Sequence, residues 1–345
     1  MKYFTKNAIC FDGIIFGSTG LIGSNLAIKL GRLDANLILH GSSVKKLKKL
    51  DDEFKNMKKN ILLFNIIFLL SACDIEDKPY INDYNSYINP NKKVLIEDFT
   101  GHLCPNCPEA AREIEAIHDI YGNQVIAIAI HVSSSFARPY PTSAAPKFQY
   151  DFRTLWGDNW DDEFGISQLG LPRGMVNRIG YINDAHQMGK DQWATNVASE
   201  LKKNIDFSIN LAATDTNISC DVNIINNINN NYYMVVCLTE NQIVNWQKDL
   251  QLEIEEYIHN HVLRTVIYDG PISDIENFVT GEIINKEFVI NLNALEQMNV
   301  DYSTNTADYG NGNAGGWNSD NMYAVAFIYN TTTKEVVQVE ETKLN

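Results

Sequence analysis

Glu97-Asp98-Phe99-Thr100-Gly101-His102-Leu103-Cys104-Pro105-Asn106-Cys107-Pro108 sets a Cys-x-x-Cys pair between a strand-like run and a helix-like run. Val94-Leu95-Ile96 is a short continuous apolar run of the kind a buried strand uses. From Glu109 to Tyr121, Ala110, Ile114, Ile117 and Tyr121 recur at helical spacing. The pattern predicts strand, turn and helix, with Cys104 at the helix N-terminus. There, unpaired amides and the positive end of the macrodipole favour thiolate, the nucleophilic form, over thiol. Cys107, one turn on, can close the disulfide. An inert structural disulfide and half of a zinc site are the other readings. Zinc needs a second ligand pair, and the chain holds no further Cys-x-x-Cys and no His-x3-His. Redox placement is the reading the spacing favours, and the structural disulfide stays open beside it.

With these residues in place, the segment resembles the thioredoxin superfamily. Asp98 stands six residues before Cys104, where the resemblance implies a buried carboxylate that takes the resolving cysteine's proton, and Phe99 follows as in that family. Phe164-Gly165-Ile166-Ser167-Gln168-Leu169-Gly170-Leu171-Pro172-Arg173-Gly174-Met175-Val176 looks like the helix end, cis-proline loop and next strand. The resemblance implies that Pro172 is cis and faces the disulfide; cis X-Pro bonds are uncommon, so this rests on the family's fold. Leu103 stands where many thioredoxins have Trp, and Arg173 where Thr is usual. Both departures leave substrate and redox poise open.

Upstream, Met57-Lys58-Lys59-Asn60 leads into Ile61-Leu62-Leu63-Phe64-Asn65-Ile66-Ile67-Phe68-Leu69-Leu70 and then Ser71-Ala72-Cys73. A basic start, an apolar stretch of this length and a small-residue site make a secretory signal peptide. A transmembrane helix needs about 20 apolar residues, more than this run supplies. Leu70-Ser71-Ala72-Cys73 resembles a bacterial lipobox, which implies lipidation of Cys73 and a mature N-terminus there.

Residues 1–56 carry a different signal. Gly13-Ile14-Ile15-Phe16 enters Gly17-Ser18-Thr19-Gly20-Leu21-Ile22-Gly23, then a helix-like run through Leu30 and a second strand-like run, Leu37 to His40. This resembles the nucleotide-binding start of short-chain dehydrogenases and sugar epimerases. Gly17, Gly20 and Gly23 would let a pyrophosphate approach backbone amides. However, none of the 16 tyrosines has Lys four residues later, and no acidic residue ends the Leu37 to His40 strand to hold a ribose. Two strands cannot bury a core. The segment is therefore read as a truncated fragment with vestigial glycines, and no cofactor is expected.

Charge changes at the same seam. Residues 1–60 hold 11 Lys and Arg against 5 acids, net +6, while the remainder holds 17 against 38, net −21, for −15 overall. An acidic remainder argues against nucleic acid as a partner. Apart from Cys10 and Cys73, four cysteines are left, Cys104, Cys107, Cys220 and Cys237, an even set that suits export. Cys220 and Cys237 lie in neighbouring strand-like runs that a hairpin would bring together.

The polar stretch 74–92 suits a tether. Between Val132 and Asp162 lies an insertion carrying Phe148, Tyr150, Phe152, Trp156 and Trp160, which fits a lid packing its own small core or an aromatic substrate groove. From Asp206 the texture is one of short alternating runs: Phe207 to Ala213, Ile218 to Ile225, Tyr232 to Thr239, Val262 to Tyr268, Glu287 to Leu292, Tyr323 to Tyr329 and Glu335 to Val339. Such spacing predicts an antiparallel sandwich. His259-Asn260-His261 supplies two imidazoles, short of a metal site. Asp301 to Asn321, rich in Asp, Asn and Gly, lacks the EF-hand order and is expected to be a flexible loop.

The expected fold is thus an α/β thioredoxin-like domain at 93–205 and an all-β antiparallel sandwich at 206–345. They follow a Rossmann-like βαβ fragment at 1–56, the lipoprotein signal peptide at 57–73 and the linker at 74–92. The lipobox, the motif from Glu97 through Pro108, Gly170-Leu171-Pro172 with Val176-Asn177-Arg178, and His259-Asn260-His261-Val262-Leu263-Arg264 together resemble the Omp28-related lipoproteins, over residues 57–345. That resemblance implies an outer-membrane or surface lipoprotein, anchored by lipid. Two function classes follow: a thiol–disulfide oxidoreductase acting on envelope protein thiols or disulfides through Cys104, Cys107, Asp98 and Pro172, or a non-catalytic binding lipoprotein with a permanent disulfide.

Overall fold

The computed structural model describes residues 88–229 and 231–345, together with two short strands near the N-terminus. The chain divides into two units, Met1–Ile81 and Asn82–Asn345. In the first, β1 (Asp12–Phe16) and β2 (Asn36–His40) pair in parallel. Gly17, Gly20 and Gly23 lie outside the described residues, as do the signal stretch, Cys73 and the linker up to residue 87.

The second unit is built on one mixed sheet. Its strands are β3 (Val94–Thr100), β4 (Val125–His131), β5 (Arg173–Val176), β9 (Tyr232–Glu240), β12 (Val262–Pro271), β15 (Met322–Asn330) and β16 (Val336–Lys343), in the order β16-β15-β9-β12-β4-β3-β5. β3, β4 and β12 run parallel, and the remaining neighbours are antiparallel. Four of the runs expected to form a separate sandwich, now β9, β12, β15 and β16, therefore extend the sheet that carries the Cys motif. The single registered pair Val262↔Ala129 joins the two halves. A three-stranded antiparallel sheet, β14-β7-β6, comprises β6 (Phe207–Ala213), β7 (Asn217–Ile224) and β14 (Ile283–Val289). β8 (Ile228–Asn229) pairs with β13 (Asn277–Phe278), and β10 (Ile243–Asp249) pairs with β11 (Leu252–His259) as a two-stranded hairpin.

Strand alternation decides what covers each face. Leu95 and Phe99 of β3, Ile128 and Ile130 of β4, Cys237 of β9 and Phe327 of β15 bury one face beneath α2 (Leu155–Phe164), whose Trp160 and Phe164 join the same core. On the opposite face, Val94, Ile96, Val125 and Ala127 meet α1 (Cys107–Tyr121) through Ala110, Ile114 and Ile117, and α3 (Trp193–Glu200) through Trp193 and Val197. Further along that face, Met234, Val236, Leu238, Ala324 and Ala326 pack against the three-stranded sheet through Phe207, Ile218, Cys220 and Val222. The sheet is the middle of three layers.

Several expectations shift in position. Glu287 to Leu292 is not one strand: β14 ends at Val289, and Leu292 opens α4 (Leu292–Asn305), capped by the Asn291 side chain accepting from the Ala294 amide. The stretch expected to be a loop thus begins as a helix. Cys220 and Cys237 are free, buried thiols. They sit in different cores, Cys220 against Met234 and Cys237 on the other face, so no hairpin pairing can join them.

Candidate functional site

β3 delivers the Cys motif. Its parallel register with β4, Asp98 opposite Ala129 and Thr100 opposite His131, fixes where the chain leaves the sheet. Gly101 then turns the backbone so tightly that a side chain there would meet the Phe136 carbonyl at 2.3 Å. Cys104 and Cys107 form a disulfide, with Cα atoms 5.4 Å apart. The helix begins at Cys107; Cys104 lies in the preceding turn, its amide donating to the Gly101 carbonyl. The helix terminus expected to act on Cys104 therefore holds Cys107. Pro105 lies between the cysteines and Pro108 follows Cys107 in the helix's first turn, where proline forfeits no helical hydrogen bond.

Leu171–Pro172 is a cis peptide, and Leu171 belongs to the same core as both cysteines. Arg173, on the next residue, donates to the backbone carbonyls of Leu169 and Gln187, which ties down its loop. Leu103, in the place where Trp is usual, is buried, and its amide donates to Phe136. The insertion's aromatics are mostly buried: Tyr150 and Phe152 pack with Val262, and Phe148 meets Tyr140 and Trp246.

Alternation in β3 points Asp98 away from Phe99 and toward α1. Asp98 and Cys107 line one cavity of about 60 Å3, which Gln247, His131, His259 and His261 also line. That volume has room for a few water molecules only. Asp98 is buried, its Oδ1 has no hydrogen-bond partner, and burial pushes its carboxyl up to about 8. Water withheld from a lone carboxylate raises the cost of its charge, so the acid form persists toward neutral pH. The imidazoles respond oppositely to the same burial. His259 is lowered to about 3, first by burial and then by His102. His261 falls to about 4, by burial and by His118, and His131 lies well below the usual range. His131 stacks on Phe152 at 4.6 Å between ring centroids and stands 5.7 Å from His259.

The sequence singled out His259 and His261 as an incomplete metal pair and as part of the stretch that carries the Omp28 resemblance. Their convergence with His131 and Asp98 on one cavity depends on β11 lying over the end of β4, which no local spacing reports. Among the described residues no cluster of three or more His, Cys, Asp or Glu has the geometry of a metal site.

Comparison with known proteins supplies the family. The model of the family described as outer membrane protein Omp28 matches residues 158–345, from within α2 to the C-terminus. The chain belongs to the Omp28 family. The family's match takes in Pro172 and the β10–β11 hairpin and leaves Asp98, Cys104 and Cys107 outside it. The chain is similar to HBP35 of Porphyromonas gingivalis, at 13% identity over 74% of this chain and 76% of that one, with a TM-score of 0.49. A protein of Agrobacterium tumefaciens is 11% identical, covering 73% and 94% of the two chains, with a TM-score of 0.42. A domain of the outer membrane lipoprotein Omp28 from Porphyromonas gingivalis is 20% identical, covering 41% and 91%, with a TM-score of 0.22. No curated protein matches the chain.

Proposed function

We propose that this Omp28-family chain is an outer-membrane lipoprotein, anchored through Cys73, whose thioredoxin-like portion exchanges thiols and disulfides with envelope proteins. The observation carrying the reading is Asp98, a buried carboxyl pushed up to about 8 on the wall of the cavity that Cys107 lines. A permanent disulfide has no use for an unpartnered buried acid. A resolving thiol does, because a carboxyl near 8 sits close to the ordinary thiol pKa of about 8.5, and proton transfer between them is then nearly balanced.

In the reduced protein the Cys104 thiolate attacks a substrate disulfide, forming a mixed disulfide and releasing one substrate thiolate. Cys107 gives its proton to ionised Asp98 and attacks Cys104 Sγ, expelling the second substrate thiolate. The substrate disulfide gains two electrons, and the Cys104–Cys107 pair loses them. Pro172 is assigned to orienting the substrate strand. The test is trapping: Cys107→Ala should accumulate mixed disulfides through Cys104, Cys104→Ala far fewer, and Asp98→Asn should slow resolution. If neither single-cysteine variant traps a partner, the redox reading fails.

A second reading has its own observation. Cys104 is fully buried and Cys107 only 2% exposed, as in a structural disulfide. On that reading the pair staples the turn to α1 and the β-rich face binds a surface partner. A reduction potential below about −300 mV would favour the staple.

A further inference from the structure

The β10–β11 hairpin lies directly on the Cys-x-x-Cys turn. Lys248 near the end of β10 and Leu250 in the β10–β11 turn, at φ 54°, donate their amides to the carbonyls of His102 (2.9 Å) and Pro105 (2.7 Å). The chain's own hairpin tip thus holds the loop through main-chain hydrogen bonds, the kind of contact by which peptides dock on exposed backbone. Between these two contacts the Gln247 amide donates to the Cys104 carbonyl at 3.1 Å and reaches the Gly101 carbonyl at 3.4 Å. A register shift between Asn245 and Gln247 accompanies this inward aim, as bulges re-aim side chains beside functional sites.

The hairpin is packed through Trp246 against Phe148, Ile243 on the Tyr150–Phe152 cluster and buried His259 against Phe152 at 4.6 Å, while its tip is held by polar contacts. It forms a sheet of two strands, separate from the seven-stranded one. Isolated two-stranded hairpins are marginal in water. Its outward side chains Val244, Leu252 and Ile258 are exposed. Beyond the turn it is held by Arg112 to Asp249 at 3.0 Å, Lys147 to Glu253 at 2.6 Å and Lys248 to the Tyr140 hydroxyl at 2.8 Å. The tip's polar, surface-borne contacts mark the low-stability end of a fold, and they can part while the packed base and the seven-stranded sheet stay intact.

We propose that the tip of the β10–β11 hairpin is a latch, and that thiols reach the Cys104–Cys107 disulfide only from an open state in which the tip has left the turn. This deepens the redox reading and rests on it for its biological use. The chemistry of the test needs access alone: dithiothreitol gives two electrons and two protons to the disulfide, its own sulfurs closing to a ring, and Cys104 and Cys107 become thiols.

The full chain carrying Gln247→Ala and Asp249→Ala together loses the amide contacts and one ion pair. Its disulfide should be reduced by dithiothreitol roughly tenfold faster than wild type, the factor expected from removing contacts of this kind. Alkylation of buried Cys220 and Cys237, an internal reporter of global opening, should keep its wild-type rate. In the wild-type protein, the Lys248 and Leu250 amides should exchange with deuterium faster than those of β9. An unchanged reduction rate, alkylation of Cys220 and Cys237 rising in step, or Lys248 and Leu250 exchanging as slowly as β9 would each overturn the latch. Failure to trap a protein partner would instead overturn the redox reading and leave the latch standing.

Discussion

Arg178 grips Glu97 with two hydrogen bonds, Nε to Oε2 at 2.8 Å and Nη2 to Oε1 at 2.6 Å, and both residues are buried. Glu97 belongs to the motif before Cys104 and Arg178 follows β5, so the pair ties the edge strand to the strand that delivers the disulfide. The guanidinium also lies over Trp160, Phe164, Phe327 and Tyr329, at 4.7 to 5.5 Å from their ring centroids. Arg178→Met strands a carboxylate in an apolar core and should cost about 3–5 kcal/mol in urea unfolding. Arg178→Lys should recover little of it, because an ammonium cannot bind both oxygens in a fork. A loss below about 1 kcal/mol for the Met variant would contradict this account.

The buried imidazoles set the acid limit of the fold. His102 and His261 are lowered to about 4 and His259 to about 3, chiefly by burial, with His131 lowered as well. Unfolded, each titrates near 6.5, so between about pH 6.5 and 4 the unfolded chain binds the extra protons and stability falls as pH falls. Asp98 opposes with one proton, since its raised carboxyl is protonated in the fold and ionised in the unfolded chain across that window. Four against one leaves a net slope of roughly 4 kcal/mol per pH unit from these groups near pH 5. Urea midpoints at pH 7 and 5 measure it. His259→Gln should flatten the dependence by about one proton, and an unaltered slope would count against the buried neutral imidazole.

Asp98→Asn should stabilise the protein while it slows resolution. At pH 7 the folded carboxyl is largely protonated and the unfolded one ionised, which makes Asp98 a liability there. A neutral amide removes most of that liability, a gain of roughly 2–4 kcal/mol at pH 7 that shrinks toward zero near pH 4. Destabilisation at pH 7 would mean that the carboxyl is paired in solution. Gain of stability together with loss of exchange is the signature of a group kept for chemistry.

Much of this arrangement was readable from local pattern. The apolar run at Val94 and the helical spacing after Glu109 anticipated β3 and α1, and alternation anticipated β6, β7, β9, β12, β15 and β16. Among the elements that no expectation covered, two were opaque for physical reasons that the structure shows. α4 buries Asn299 and Ser303, the latter donating to Asp151 at 2.7 Å, so beyond Leu292 and Leu295 its inward face turns polar and the apolar stripe is broken. In β11, Glu253, Glu255 and Glu256 interrupt the alternation because most of that strand faces solvent. The latch on the disulfide and the cavity at Asp98 both depend on this hairpin, and on pairings such as Val262 with Ala129 that lie far apart in sequence.

Membrane attachment is tested at Cys73. The apolar run from Ile61 to Leu70 holds ten residues, interrupted by Asn65, and a helix spanning the hydrocarbon needs about 20. Attachment by that run itself would therefore be weak, and lipid on the cysteine closing the Leu70-Ser71-Ala72-Cys73 motif is the stronger device, since two or more acyl chains hold a protein stably where one does not. Expressed from Met57, the chain should incorporate labelled palmitate and sediment with membranes. Cys73→Ser should abolish the label and move the protein to the soluble fraction, with the urea midpoint of the folded portion unchanged because the exchange touches only the anchor. Palmitate retained by the Ser variant would place the lipid elsewhere and remove the lipobox from the account of how this chain reaches the membrane.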